Sequence, residues 1–113
     1  MSKWITKYWV ENDGSSPVSD WLDSLSLAQY KSIAKKLLLL ELCGNILKMP
    51  HSKSLKQGLF ELRDPSFGLR LYYCFRENKL IILLQGGDKK SQAKDIKAAR
   101  VLIKKLEEKE IKQ

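Results

Sequence analysis

The chain has 113 residues, a formal charge of +8, and 43% hydrophobic against 30% charged residues. That is the size of one domain, residues 1–113, with enough apolar content for a core without disulfide or metal staples. The charge favours a polyanionic partner such as nucleic acid, a ribosome or an acidic protein. No apolar run is long enough to cross a membrane, and Met1-Ser2-Lys3-Trp4 lacks a signal-peptide apolar region, so a cytoplasmic protein with no membrane contact is expected. Cys43 and Cys74 fit no zinc spacing and are expected to be buried, reduced thiols; a single histidine removes any multi-histidine metal site.

Lys3 to Val10 alternates, with Trp4, Thr6, Tyr8 and Val10 on one side and Lys3, Ile5, Lys7 and Trp9 on the other, which is the pattern of a strand. Asn12-Asp13-Gly14-Ser15 is turn chemistry, and Ser16-Pro17 supplies an N-cap and a proline at the first helical position. Val18, Trp21, Leu22 and Leu25 line one face of the short helix that follows. Ser26 can cap a second helix running to about Cys43, with Tyr30, Ile33, Leu37, Leu40 and Glu41 near one stripe and Gly44-Asn45 at its end. Asn45 to Gln57 reads as a loop holding Pro50, His51, Lys53 and Lys56. Three strands are then predicted, Leu59 to Arg63, Phe67 to Arg76 and Leu80 to Gln85, joined by tight turns into an antiparallel meander. Gly86-Gly87 reads as a turn out of the last strand. Ile96, Ala99, Ile103 and Leu106 then mark one face of a final helix from about Ser91 to Glu108, followed by a charged tail.

The order β-α-α-β-β-β-α predicts an α+β fold whose antiparallel sheet is covered by helices on one face. Alternation sends Leu69, Leu71, Tyr73 and Phe75 towards the helices and Arg70, Tyr72 and Arg76 to the open face, where Glu61 and Arg63 join them if the preceding strand pairs alongside. Lys89 and Lys90 fall at the start of the last helix, where the dipole favours anions, so with the diglycine they form a candidate phosphate pocket. The result is a cationic surface containing a tyrosine, suited to phosphate contacts and base stacking. Lys53 and Lys56 are candidates for binding phosphate, and His51 for touching substrate or transferring a proton. RNA can be cut without a metal, because its own 2′-hydroxyl attacks the adjacent phosphate. The protein must then move protons and stabilise the crowded anionic phosphorus. No carboxylate cluster suits a two-metal nuclease, so neither a metal nor another cofactor is expected.

Several segments carry a resemblance. Leu83-Leu84, Gly86-Gly87-Asp88-Lys89, Gln92, Asp95-Ile96 and Ala99 look like the C-terminal signature of the addiction-module killer proteins, short toxins related to HigB and RelE and to phage-derived proteins of that group. Ser16-Pro17-Val18 with Trp21-Leu22 and Leu25 is similar to that group's first helix. The run from Pro50 to Arg63 resembles its entry into the central sheet, and Gly68-Leu69-Arg70-Leu71-Tyr72-Tyr73 its glycine turn followed by an arginine and a tyrosine. The match extends over nearly the whole chain in the right order. It implies a RelE-like fold, a toxin of a type II toxin–antitoxin module held inactive by a helix-turn-helix antitoxin, and cleavage of messenger RNA at the ribosome.

The resemblance also points to particular residues. Arg63, Arg70, Tyr72 and Lys89 match positions implicated in relatives, as do Lys53 and Gln92. The implied roles are Arg70 on the transition-state phosphate, Arg63 in substrate positioning, Tyr72 in stacking or proton relay, and Lys89 holding phosphate or acting as an acid; Lys90 would add phosphate binding. Some HigB-type relatives carry a histidine and an aromatic residue where this chain has Gln85 and Gly87, which argues against a histidine-based mechanism. Two other readings share the fold: a ParE-like inhibitor of DNA gyrase without nuclease activity, and a non-catalytic module that only binds its antitoxin.

Overall fold

Ser16 and Ser26 start the first two helices of the protein, whose structure is a computed structural model describing residues 3–112; the Met1-Ser2 start lies outside the described residues. Helix α1 spans Pro17–Ser24, and the Ser16 hydroxyl accepts from the Ser19 amide. Helix α2 spans Leu27–Cys43 and opens with a reciprocal capping box: the Gln29 amide donates to the Ser26 hydroxyl, and the Ser26 amide donates to Oε1 of Gln29. Each cap satisfies backbone donors that a helix start leaves free, worth about 1 kcal/mol apiece.

The strands are β1 (Ile5–Tyr8), β2 (Ser52–Ser54), β3 (Phe60–Asp64), β4 (Leu69–Arg76) and β5 (Leu80–Asp88), and the chain ends in helix α3 (Gln92–Lys112). They form one sheet in the order β1-β5-β4-β3-β2. The α+β class and the antiparallel meander β3-β4-β5 are as the alternation predicted. Four details differ. The expected loop contains an edge strand, β2, antiparallel to β3, and β1 runs parallel to β5, so the sheet is mixed. Gly86 and Gly87 lie inside β5 rather than in a turn. The expected charged tail continues α3, which reaches Lys112.

A fifth difference bears on function. Helices cover both faces of the sheet, not one. On the first face Val18 and Leu22 of α1 and Ile33 and Leu40 of α2 pack on Leu62, Leu69, Leu71, Tyr73, Ile81 and Leu83. Trp4, Phe60, Tyr73 and Phe75 add an aromatic cluster with ring centroids 5.0–5.6 Å apart. On the second face Ala99, Leu102 and Ile103 of α3 bury Trp9, Leu59, Tyr72, Cys74 and Leu84. Both faces read from one alternating strand, because successive β4 side chains point in opposite directions.

Candidate functional site

Two cross-strand pairs on the second face define the site. Glu61 of β3 stands opposite Tyr72 of β4, and Arg63 stands opposite Arg70. Like charges facing each other across a sheet are normally destabilising. Here the Glu61 carboxylate answers both. It is 0% exposed; its Oε1 accepts from Arg63 Nε at 2.9 Å, its Oε2 accepts from Gln92 Nε2 at 2.8 Å, and Arg70 Nε lies 3.6 Å from Oε2. A buried carboxylate is tolerated only when it is paired and hydrogen-bonded in this way.

Glu61 therefore fixes the two guanidinium groups side by side. Arg70 is further held by donation from Nη1 to the Gly68 carbonyl at 3.1 Å, and Arg63 Nη1 reaches the Met49 sulfur at 3.9 Å. The Nη2 group of each arginine makes no hydrogen bond among the described residues. Both arginines line a pocket of about 260 Å³ with Met49, Pro50, Asp64, Pro65, Gly68 and Leu69. A pair of fixed, planar donors beside an open pocket is a site for a phosphate or carboxylate.

The first turn of α3 closes down on this array, and Gly87 allows it. A Cβ at Gly87 would lie 1.8 Å from Oδ2 of Asp95 and 2.6 Å from Ser91 Oγ. On the opposite face a Cβ at Gly86 would lie 2.1 Å from the Trp21 ring. The diglycine thus serves close approach on both sides of β5, not a reversal of the chain. Asp95 is buried and accepts from Ser91 Oγ at 2.5 Å and from Gln85 Nε2 at 3.4 Å.

Tyr72 is the residue whose placement departs most from expectation. It is 0% exposed beneath α3, so its ring is not available for base stacking. Among the described residues its hydroxyl has no hydrogen-bond partner. Burial, and then the adjacent Glu61 carboxylate, push its pKa well above the ordinary tyrosine value. A phenol so placed keeps its proton and is unsuited to act as a general base.

The remaining candidates separate into groups. Gln92 sits at the centre, on Glu61. Lys53 is exposed on β2 directly opposite Glu61, which puts it on the rim of the same face. Lys89 and Lys90 are exposed just past β5, beside the arginine pair through the Arg70–Gly87 register. The Lys90 and Ser91 amides there are already taken by Oδ1 of Asp88, at 2.9 and 3.1 Å, so these lysines offer charge but not a free backbone cradle. Lys56 lies further off, in the loop between β2 and β3. His51 turns away to α2, where its Nδ1 is 3.0 Å from Lys36 Nζ.

Glu61 is a residue of the candidate site that the strand alternation places but does not single out. The two-residue step to Arg63 put both on one face; nothing in the sequence showed that one carboxylate would be shared by Arg63, Arg70 and Gln92. Among the described residues no group of three or more His, Cys, Asp or Glu side chains is arranged to hold a metal ion, and no helix is long and apolar enough to cross a membrane.

The fold has solved counterparts. It is similar to the isolated E. coli RelE toxin (14% identity, TM-score 0.54, covering 75% of this chain and 83% of that one). It is also similar to a double arginine-to-alanine RelE variant in the free state (14% identity, TM-score 0.57, 86% and 97%). The architecture is therefore RelE-like, α+β with five strands and three helices. The chain belongs to the family described as phage derived protein Gp49-like (DUF891), whose sequence profile matches residues 20–112. A Haemophilus influenzae protein described only as uncharacterized is 49% identical over 55 residues, which is 48% of this chain; the chain spans little more than half, 56%, of that relative's length.

Proposed function

We propose that this chain is the toxin of a toxin–antitoxin module and acts as a metal-independent endoribonuclease on messenger RNA at the ribosome. The observation that carries the reading is the Arg63–Arg70 pair, fixed by a fully buried Glu61 and facing an open pocket. Family and fold support the toxin part of this reading: the chain is Gp49-like, and the RelE proteins whose fold it resembles are toxins.

In this mechanism the 2′-oxygen of the substrate attacks the neighbouring phosphorus and the 5′-oxygen leaves, giving a cyclic phosphate and a 5′-hydroxyl. Arg70 and Arg63 neutralise the charge that accumulates on the equatorial oxygens, and their fixed geometry means little reorganisation is needed as it develops. Glu61 is committed to three partners and Tyr72 holds its proton, so neither serves as the base, and the 2′-hydroxyl proton passes to a solvent water. The exposed cations on the rims, Lys53 and Lys89, are placed to bind flanking phosphates and to protonate the leaving oxygen. The partner that silences such a toxin is a co-expressed antitoxin, of the helix-turn-helix kind implied by the killer-protein resemblance.

Primer extension on messages from a translating extract tests this with wild-type protein and Arg70→Ala. Ribosome-dependent cuts in codon phase that weaken strongly in the variant are expected. Intact messages with both proteins, alongside growth arrest in cells, would overturn the nuclease reading and favour inhibition of gyrase.

A further inference from the structure

A second cationic feature lies along α3. A groove of about 490 Å³, larger than the arginine pocket, runs between α3 and Gln57 of the β2–β3 loop and is lined by Lys97, Arg100, Val101, Lys104 and Glu107, with buried Ile103 at its floor. Lys97, Arg100 and Lys104 recur at steps of three and four, so they form one stripe on the helix. Arg100 is immobilised: Nη2 donates to the Leu55 carbonyl at 2.8 Å and Nη1 to the Lys56 carbonyl at 3.4 Å. Much of the entropy a long side chain loses on binding is thus already spent. Val101, 49% exposed, gives the groove an apolar wall beside its charges.

The groove and the site are linked by α3. Gln92, at the start of α3, bonds Glu61 between the two arginines, and Arg100 two turns later clamps the loop that follows β2, the strand carrying Lys53 opposite Glu61. From Gln92 to Lys104 the helix rises about 18 Å. We infer that this stripe is a track for single-stranded RNA: it holds the phosphates of nucleotides flanking the one bound by Arg63 and Arg70, with a base against Val101. A solvated lysine face would need neither a groove nor an arginine pinned at its centre. RNA fits better than an acidic peptide because the helix that carries the stripe also bonds the Glu61 that holds both arginines, so one polyanion along it can meet both at regular charge spacing. The inference rests on the RNA reading of the arginine pair.

The test uses full-length protein and non-cleavable 2′-O-methyl RNA, a trinucleotide and a decanucleotide, with binding followed by fluorescence anisotropy across a salt series. The variants are the double substitution Lys97→Gln with Lys104→Gln, and separately Arg70→Ala. Wild-type protein should bind the longer RNA more tightly and with a steeper salt dependence. The double variant should leave trinucleotide binding alone and lower the decanucleotide's slope by about 1.4, the change expected for two lost phosphate contacts on a single strand. Arg70→Ala should weaken both lengths. An unchanged slope in the double variant, or an equal loss for both lengths, would overturn the track and leave the arginine site standing. Length-dependent binding lost in the lysine variant but indifferent to Arg70→Ala would instead support the track and refute the arginine reading. Preferential displacement by an acidic peptide, without dependence on RNA length, would overturn the track and reassign the groove to a protein partner.

Discussion

The two faces of the sheet share strands and differ in what they hold. The face under α1 and α2 is filled mostly by aliphatic and aromatic side chains, with two buried polar contacts, a short one between the Ser52 and Tyr73 hydroxyls and one from the Ser32 hydroxyl to Oδ1 of Asp64 at 2.8 Å. The face under α3 begins as an ordinary apolar core around Trp9, Cys74, Leu84 and Ala99. Towards the start of α3 it becomes a charged array of Glu61, Arg63, Arg70 and Asp95 around a buried tyrosine. The first face supplies stability. The second gives more of it up: among the described residues it carries the Tyr72 hydroxyl, Trp9 Nε1 and Arg70 Nε without a hydrogen bond, against Oδ2 of Asp64 on the first face, and such groups cost free energy when buried.

That contrast can be broken from either side. Leu71→Ala on the first face should cost about 2–5 kcal/mol in urea unfolding, with cleavage per folded molecule unchanged; a loss confined to activity would contradict the division. Arg70→Ala on the second face should reverse the pattern. Its cleavage rate should fall by about 10²–10³, while the unfolding midpoint moves little, since Glu61 keeps Arg63 and Gln92.

Glu61→Gln removes the charge between the arginines at nearly constant volume. Destabilisation of about 2 kcal/mol is expected. It should shrink as salt is raised, because the exposed repulsion between Arg63 and Arg70 is then screened. A salt-independent loss would mean that the carboxylate only fills space.

Tyr73 sharpens the comparison through pH. Burial pushes its hydroxyl from the ordinary 10.0 up to about 12, although the Ser52 hydrogen bond pulls the other way. Between those values the unfolded chain has released the proton and the folded chain still holds it. Stability is therefore full below pH 10 and falls as pH rises, by up to about 1.4 kcal/mol per pH unit. Tyr73→Phe should flatten this alkaline slope, leaving the part due to Tyr72. The smallest effect is expected at His51. His51→Ala should keep cleavage within a factor of two or so and stability within about 0.5 kcal/mol; a large loss of activity would put the imidazole back in the site.

What the sequence revealed follows from how local each cause is. The Ser16 and Ser26 caps are written within four residues, and both helices begin there. Alternation in Leu69 to Arg76 assigned every β4 side chain to its face. β2 escaped notice because Ser-Lys-Ser has no strand pattern of its own and is extended by pairing with β3. Gly86-Gly87 looked like a turn because the reason for it is remote: Trp21 and Asp95 occupy the space a side chain would need. Arg70 and Arg63 could be placed together from the strand pattern, but the burial of Tyr72 depends on α3 folding back over the second face.

That return of α3 has a consequence for the order of synthesis. Arg63 and Arg70 are made well before Gly87 comes to lie beside Arg70 and before Gln92 reaches Glu61. β1 likewise finds its partner only when β5 has been made. A nascent chain that has emerged as far as β4 therefore carries both arginines but not the architecture that aligns them. A protein that attacks messages on ribosomes would in this way spare the ribosome building it until nearly the whole fold is out.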